Sequence, residues 1–128
     1  MRDVDSDSLI TIPLAEDELE LLRTGLSEWG GPARCTAALA VAMGFDSVEH
    51  LLAEGRRLRY ELAAGSRLTR EDWIRSVVAT EIVFVSDVYG SGSDWHSTTG
   101  LSDEATIRLL RVVQAKVAAG IREHRSRR

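Results

Sequence analysis

The sequence predicts an all-α fold, a compact single-domain bundle of four or five helices with one short extended segment near its N-terminus. Three observations carry that expectation. Apolar residues recur at three- and four-residue spacing in several separate stretches. Those stretches open on capping residues such as Ser47, Thr69 and Ser102, or close on glycines such as Gly44 and Gly65. The chain has 128 residues, 44% hydrophobic and 28% charged, which is enough for one core and leaves little room for a second.

The elements follow in order. Residues 1–8 are polar and acidic and are expected to form a mobile N-terminus. Leu9-Ile10-Thr11-Ile12 alternates and is stopped by Pro13, which suits an edge strand or an extended lead-in. From about Leu14 to Trp29 the period is helical, with Ala15, Leu19, Leu22, Leu26 and Trp29 on one face. Gly30-Gly31-Pro32 should end that helix through a left-handed glycine cap. A short alanine-rich helix is expected from Thr36 to Met43. A longer one then runs from an Asp46 or Ser47 cap to about Ala64, with Val48, Leu51, Leu52, Gly55, Leu58 and Leu62 inward. Thr69, with Glu71 and Asp72 in the first turn, opens a helix towards Val88. Residues 88–100 read as one long irregular stretch. Ser102 then caps a final helix burying Ile107, Leu110, Val113, Val117 and Ile121. The 69–88 and 103–122 helices are expected to be the central packing pair. The organisation is thus a helical domain over residues 9–124 and a basic, frayed C-terminus over 125–128.

Glu81 breaks the pattern. On a wheel at about 100° per residue, Trp73, Ile74, Val77, Val78, Phe84, Val85 and Val88 cover one arc, and Glu81 falls at its centre. A carboxylate there must be paired, hydrogen-bonded or protonated. Two readings are open. Glu81 accepts hydrogen bonds from the 89–99 loop or a Trp indole and pins that loop. Alternatively it lines a small-molecule or ion site with Asp94, Trp95 and His96 of the Gly90–Thr99 loop. Ile82-Val83-Phe84-Val85 is also a good strand sequence, in which the wheel argument disappears.

Charge is uneven. Residues 1–54 carry eleven acids against three arginines, whereas residues 55–128 carry nine acids against twelve arginines and Lys116, within a net charge of -4. Acids at helix starts and arginines at helix ends would produce such a split through the helix dipole. A polarised surface that steers a charged partner is the other reading.

Several chemistries are excluded. No run of 18 apolar residues is present, so no membrane helix is expected. Met1-Arg2-Asp3-Val4-Asp5 has no signal-peptide core, which makes the cytoplasm the expected location. The single Cys35 rules out an internal disulfide or a Cys-rich zinc site; Arg34 beside it would lower its pKa, but an inert thiol fits better. Gly90-Ser91-Gly92-Ser93-Asp94-Trp95 lacks the third glycine of a dinucleotide fingerprint, the lysine of a P-loop and the spacing of a nucleophile elbow. His50 and His124 have no metal-ligand spacing. No cofactor or metal is therefore expected.

Residues 36–62 have partial helix-turn-helix spacing in Ala40-x-x-x-Gly44, with Arg56, Arg57 and Arg59 on the second helix. His50 stands where an inward apolar residue belongs, and the arginines lie at the wrong end for reading bases, which disfavours nucleic acid. The leading expectation is a non-enzymatic protein-interaction module of the immunity, antitoxin or small-regulator kind. Its contact surface would be the acidic face of the first helix, Glu16, Asp17, Glu20 and Glu28, meeting a basic protein partner. A homodimer is the second candidate assembly. The Glu81 site and weak DNA binding through 36–62 are the alternatives.

Overall fold

The computed structural model describes residues 8–31 and 33–127; the expectations placed on Met1–Asp7, Pro32 and Arg128 lie outside them. The fold is dominated by helix, as expected. Among the described residues there are six α-helices and a two-stranded antiparallel sheet: β1 (Leu9–Thr11), α1 (Glu16–Glu28), α2 (Ala37–Ala42), α3 (Val48–Ala64), β2 (Arg67–Thr69), α4 (Arg70–Val85), α5 (Trp95–Thr99) and α6 (Asp103–Ser126). One contiguous apolar cluster joins all the long helices and both strands.

The extended segment is a paired strand. Leu9 stands opposite Thr69, Ile10 opposite Leu68 and Thr11 opposite Arg67. Ile10 and Leu68 are both buried, so strand alternation turns that pair inward and leaves its neighbours towards solvent. Trp73 Nε1 donates to the Ile10 carbonyl at 2.9 Å, and the Ile12 N–H reaches the Ser66 carbonyl at 3.0 Å.

α1 begins at Glu16 and is capped without a capping side chain, because Ala15 occupies that position and is exposed rather than part of the apolar face. Glu18 makes the other half of a capping box, its side chain folding back to accept the Ala15 N–H at 2.8 Å while its own N–H bonds the Ala15 carbonyl at 3.0 Å. The same carboxylate oxygen accepts from Lys116 Nζ at 2.8 Å, which ties the start of α1 to α6. Burial pushes the Glu18 carboxyl up, but Lys116 and the Ala15 N–H outweigh it, so the group lies below the usual carboxylate range.

The glycine cap expected at the far end does not form. Trp29 remains right-handed, and the Gly30 and Gly31 N–H groups bond the carbonyls of Ser27 and Glu28, tightening the last turn. Among the described residues, positive φ occurs only at Gly44, Gly92 and Gly100. Trp29 instead anchors the turn, buried with its Nε1 donating to the Ala79 carbonyl at 3.0 Å.

α2, α3, α4 and α6 open on the side chains of Thr36, Ser47, Thr69 and Ser102, each accepting from the backbone N–H three residues on. Gly44, at φ 100°, closes the α2 turn. α3 buries Leu51, Gly55, Leu58 and Leu62, with Val48 and Leu52 half-buried, as its pattern requires. α4 is helical through Val85, not a strand, and ends three residues short of Val88.

Residues 88–100 are less irregular than expected. A 3-10 turn over Gly92–Asp94 leads into α5, and Trp95 is completely buried with its Nε1 donating to Thr106 Oγ1 at 2.8 Å. α6 continues to Ser126, two residues past the domain end expected at 124. Its expected core residue Ile107 is 44% exposed, and Thr106 is buried in its stead because the Trp95 indole requires an acceptor.

The packing centre also differs. α1, not the α4–α6 pair, is the hub: it packs on both α3 and α4 and touches α6. Acids do occupy first turns, in α1, α3, α4 and α6, but of these four helices α6 alone carries basic residues in its last turn. The dipole therefore accounts for the acidic half of the charge pattern and not for the arginines. Among the described residues, no helix is long and apolar enough to cross a membrane.

Candidate interaction surface

α4 is apolar on two sides, and the side that faces the core is not the one hydrophobicity selects. Its buried residues are Asp72, Trp73, Ser76, Val77, Ala79, Thr80, Val83 and Phe84. The arc centred on Glu81 is split: Trp73, Val77 and Phe84 are buried, whereas Ile74 and Val78 are half-buried and Val85 is 70% exposed; beyond the helix end, Val88 is 73% exposed. Small residues explain the rotation. Gly25 of α1 lies against Thr80 so closely that a Cβ added to Gly25 would overlap the Thr80 side chain. Two helix backbones approach that closely only where both present small groups, and Ser76, Ala79 and Thr80 are those groups on α4. The Thr80 hydroxyl is satisfied within its own helix, donating to the Ser76 carbonyl at 2.9 Å.

The outer face of α4 meets α6 along an open groove. Its cavity, about 230 Å³, is walled by Ile74, Val77 and Val78 on one side and by Val117, Ala118 and Ile121 on the other. Ile74 and Val78 also line a neighbouring hollow of about 210 Å³ that extends to Met43 and Gly44. Glu81 and Gln114 are the polar residues of the larger cavity.

Glu81 Oε2 accepts from Gln114 Nε2 at 2.7 Å, and Gln114 Oε1 accepts from Arg111 Nη1 at 3.0 Å. The arginine fixes which way the amide faces, and the amide holds the carboxylate at the groove wall. Glu81 is thus half-buried on a surface groove, not at a core centre, and it does not pin the 89–99 segment.

Glu28 performs that pinning. Its Oε1 accepts from Ser91 Oγ at 2.6 Å and from Thr98 Oγ1 at 2.8 Å, while the Ser91 N–H bonds the Val83 carbonyl at 2.7 Å. Of the loop residues singled out in the sequence, Trp95 is core and stacks edge-on to Phe84, with ring centroids 5.3 Å apart. Asp94 and His96 are exposed. Among the described residues no three His, Cys, Asp or Glu side chains come together as a metal-binding group, so Glu81, Asp94 and His96 do not form one.

The acids of α1 are dispersed in role. Glu16 and Glu20 both bind Arg23 Nη2, at 2.7 and 2.6 Å. Glu28 faces the Ser91–Thr98 segment, and Asp17 is exposed.

In the 36–62 segment Arg57 is engaged by Glu54 and Asp72, at 2.7 and 2.8 Å, and α2 spans only Ala37–Ala42. His50 Nδ1 accepts the Asp46 N–H at 2.9 Å, and its ring packs edge-on to Phe45. Burial raises the Cys35 thiol pKa, the direction opposite to the one expected from Arg34.

Comparison with protein-family models, curated proteins and solved structures yields no match. The surface therefore has to speak through its own chemistry. Sequence reasoning missed Gln114 and Arg111, which stand three apart on α6, one helical turn in register. It also assigned Ile74, Val78 and Val85 to the core. The signal was present in Gly25 and in the cluster Ser76, Ala79, Thr80, small residues at helix-packing spacing.

Proposed function

We propose that the protein is a non-enzymatic interaction module whose α4–α6 groove receives a helix of a partner protein. The observation that carries this reading is the second apolar face of α4. A helix apolar on both sides is ordinarily covered on both, and here Ile74 and Val78 line an open groove while Val85, outside it, is exposed. Helix-in-groove recognition uses such a trough, with apolar anchors at three- and four-residue spacing. Glu81 sets the partner's charge: its Oε1 has no hydrogen bond among the described residues, which suits a basic residue beside the apolar anchors. The acidic face of α1 is a weaker candidate, because Glu16, Glu20 and Glu28 already hold partners within the chain.

The test is site-specific photocrosslinking in the source cell, with the crosslinker at position 78 and, as a control, at the exposed Tyr60 on α3. The expected result is an adduct from position 78 that is absent from position 60 and is lost on Glu81→Lys. A crosslinked pair of identical chains would put a second copy in the groove and overturn the hetero-partner. Adducts of equal yield from both positions, or insensitivity to charge reversal, would remove the surface.

A further inference from the structure

A different part of the molecule carries a site of another kind. Three arginines, Arg23, Arg57 and Arg75, are each held by carboxylates within 3.2 Å, and Arg23 and Arg75 also bond backbone carbonyls. Arg23, Arg59 and Arg75 are the half-buried arginines among the described residues, and of the three Arg59, on α3, makes no ion pair. Its Nε is shielded from solvent with no hydrogen-bond acceptor. The shielded Nε is not reached from the cleft, but a guanidinium held by no carboxylate keeps its outer Nη donors for an acceptor from outside the chain.

Arg59 lies where two adjoining cavities meet, of about 360 and 420 Å³, between the last turns of α1 and the middle of α3. Ser27 and Glu28 also line both. Arg56, which makes no ion pair among the described residues, lines the first; Thr98 and Thr99 line the second. Each cavity falls within the size range of small-molecule sites.

The walls specify the ligand. Two free guanidinium groups in one cleft call for an oxyanion, and the planar fork of Arg59 matches a phosphate or carboxylate edge. The two acids of the cleft do not answer that call: Glu20 is bound to Arg23, and Glu28 gives its Oε1 to Ser91 and Thr98. Glu28 Oε2 makes no hydrogen bond among the described residues, and Thr24 and Ser27, whose hydroxyls are likewise unengaged, line the same cavity. A bare anion would leave those groups unused, whereas an apolar ligand would find little to touch. We propose that this cleft binds a small hydroxylated oxyanion, its phosphate or carboxylate on Arg59 and Arg56 and its hydroxyls towards Glu28. The site is independent of the α4–α6 groove.

The experiment is a titration of the isotope-labelled protein, followed by amide chemical shifts, with glycerol 3-phosphate, glycerate and glycerol in parallel. The expected result is saturable shifts at Ser27, Gly30 and Gly55 with one or both anions and none with glycerol. Whichever anion binds identifies the phosphate or the carboxylate as the group Arg59 takes. Arg59→Met, which keeps the apolar stem, should weaken binding at least about tenfold, and Arg67→Met on exposed β2 should leave it unchanged. Arg59→Lys, which keeps charge and loses the fork, should fall between them and serves if Arg59→Met does not fold. No saturable shift from either anion, equal shifts from glycerol, or full affinity in the Arg59 variants would overturn the proposal.

Discussion

Glu18 and Gly25, seven residues apart on α1, decide how that helix sits, one through charge and the other through the lack of a side chain. Glu18 is lowered below the usual carboxylate range against the opposing pull of its own burial. A depressed acid adds stability above its unfolded pKa of about 4.3, and that stability is lost as pH falls through the folded value. Lys116→Met removes the cation and leaves burial as the largest influence on the carboxyl. We expect it to cost about 1 kcal/mol at neutral pH, a figure held down by the 40% exposure of the lysine side chain. The gap from wild type should narrow as the solution is acidified. Denaturant unfolding at a series of pH values checks this, and a gap that is constant with pH would assign the loss to packing. At Gly25, substitution by alanine drives a Cβ into Thr80 and should cost about 1–3 kcal/mol by the same measurement. Thr80→Ala should not rescue it, because the Thr80 Cβ itself lies 2.8 Å from the added atom.

At the scale of elements, α4 was legible as a helix and illegible in its orientation. Caps, length and first-turn acids are local properties, and Thr69, Glu71 and Asp72 declare them. Which face is buried depends on the neighbour, and a helix apolar on two sides gives no preference of its own. The α1–α4 contact is selected by close approach at Gly25 and Thr80 rather than by the largest hydrophobic area. The same limit hid β2, since Leu68 declares a strand only once Ile10 stands opposite it. The rotation can be checked directly. Val85→Ser should change stability by less than about 0.5 kcal/mol, whereas Val83→Ala, two residues away and fully buried, should cost about 2 kcal/mol. Equal losses in thermal unfolding would contradict the observed face. The 88–100 segment makes a related point. Its glycines and serines read as loop, yet Trp95 docks it: Thr106→Val should leave the buried indole N–H without an acceptor and cost about 1–3 kcal/mol. Faster amide exchange confined to residues 92–99 would accompany that loss.

Across the whole molecule, the two candidate surfaces share no lining residue, and both are built on a scaffold closed by contacts between separate segments of the chain. The α4–α6 groove was half legible, because its apolar residues were visible but assigned inward, and Glu81 was noticed for the wrong neighbourhood. The Arg59 cleft was not legible, since an unpaired arginine stands out from the exposed ones only once its burial is known. Holding both in place is a chain of long-range ties: Trp73 to the Ile10 carbonyl, Trp29 to the Ala79 carbonyl, Trp95 to Thr106. Each indole fills core volume and spends its N–H on a segment that would otherwise be fastened by few contacts. The Trp73 tie spans 63 residues and closes the sheet over the start of α4. Trp73→Phe keeps an aromatic ring in the core but leaves the Ile10 carbonyl without this donor, for a loss of about 2 kcal/mol. Because β1 is held by this bond and by its pairing with β2, exchange of the Ile12 amide should accelerate well beyond the global loss, while α3 amides follow the global loss alone. Uniform acceleration across the chain would mean instead that β1 opens only with the whole fold, making the sheet part of the central cooperative unit rather than its clasp.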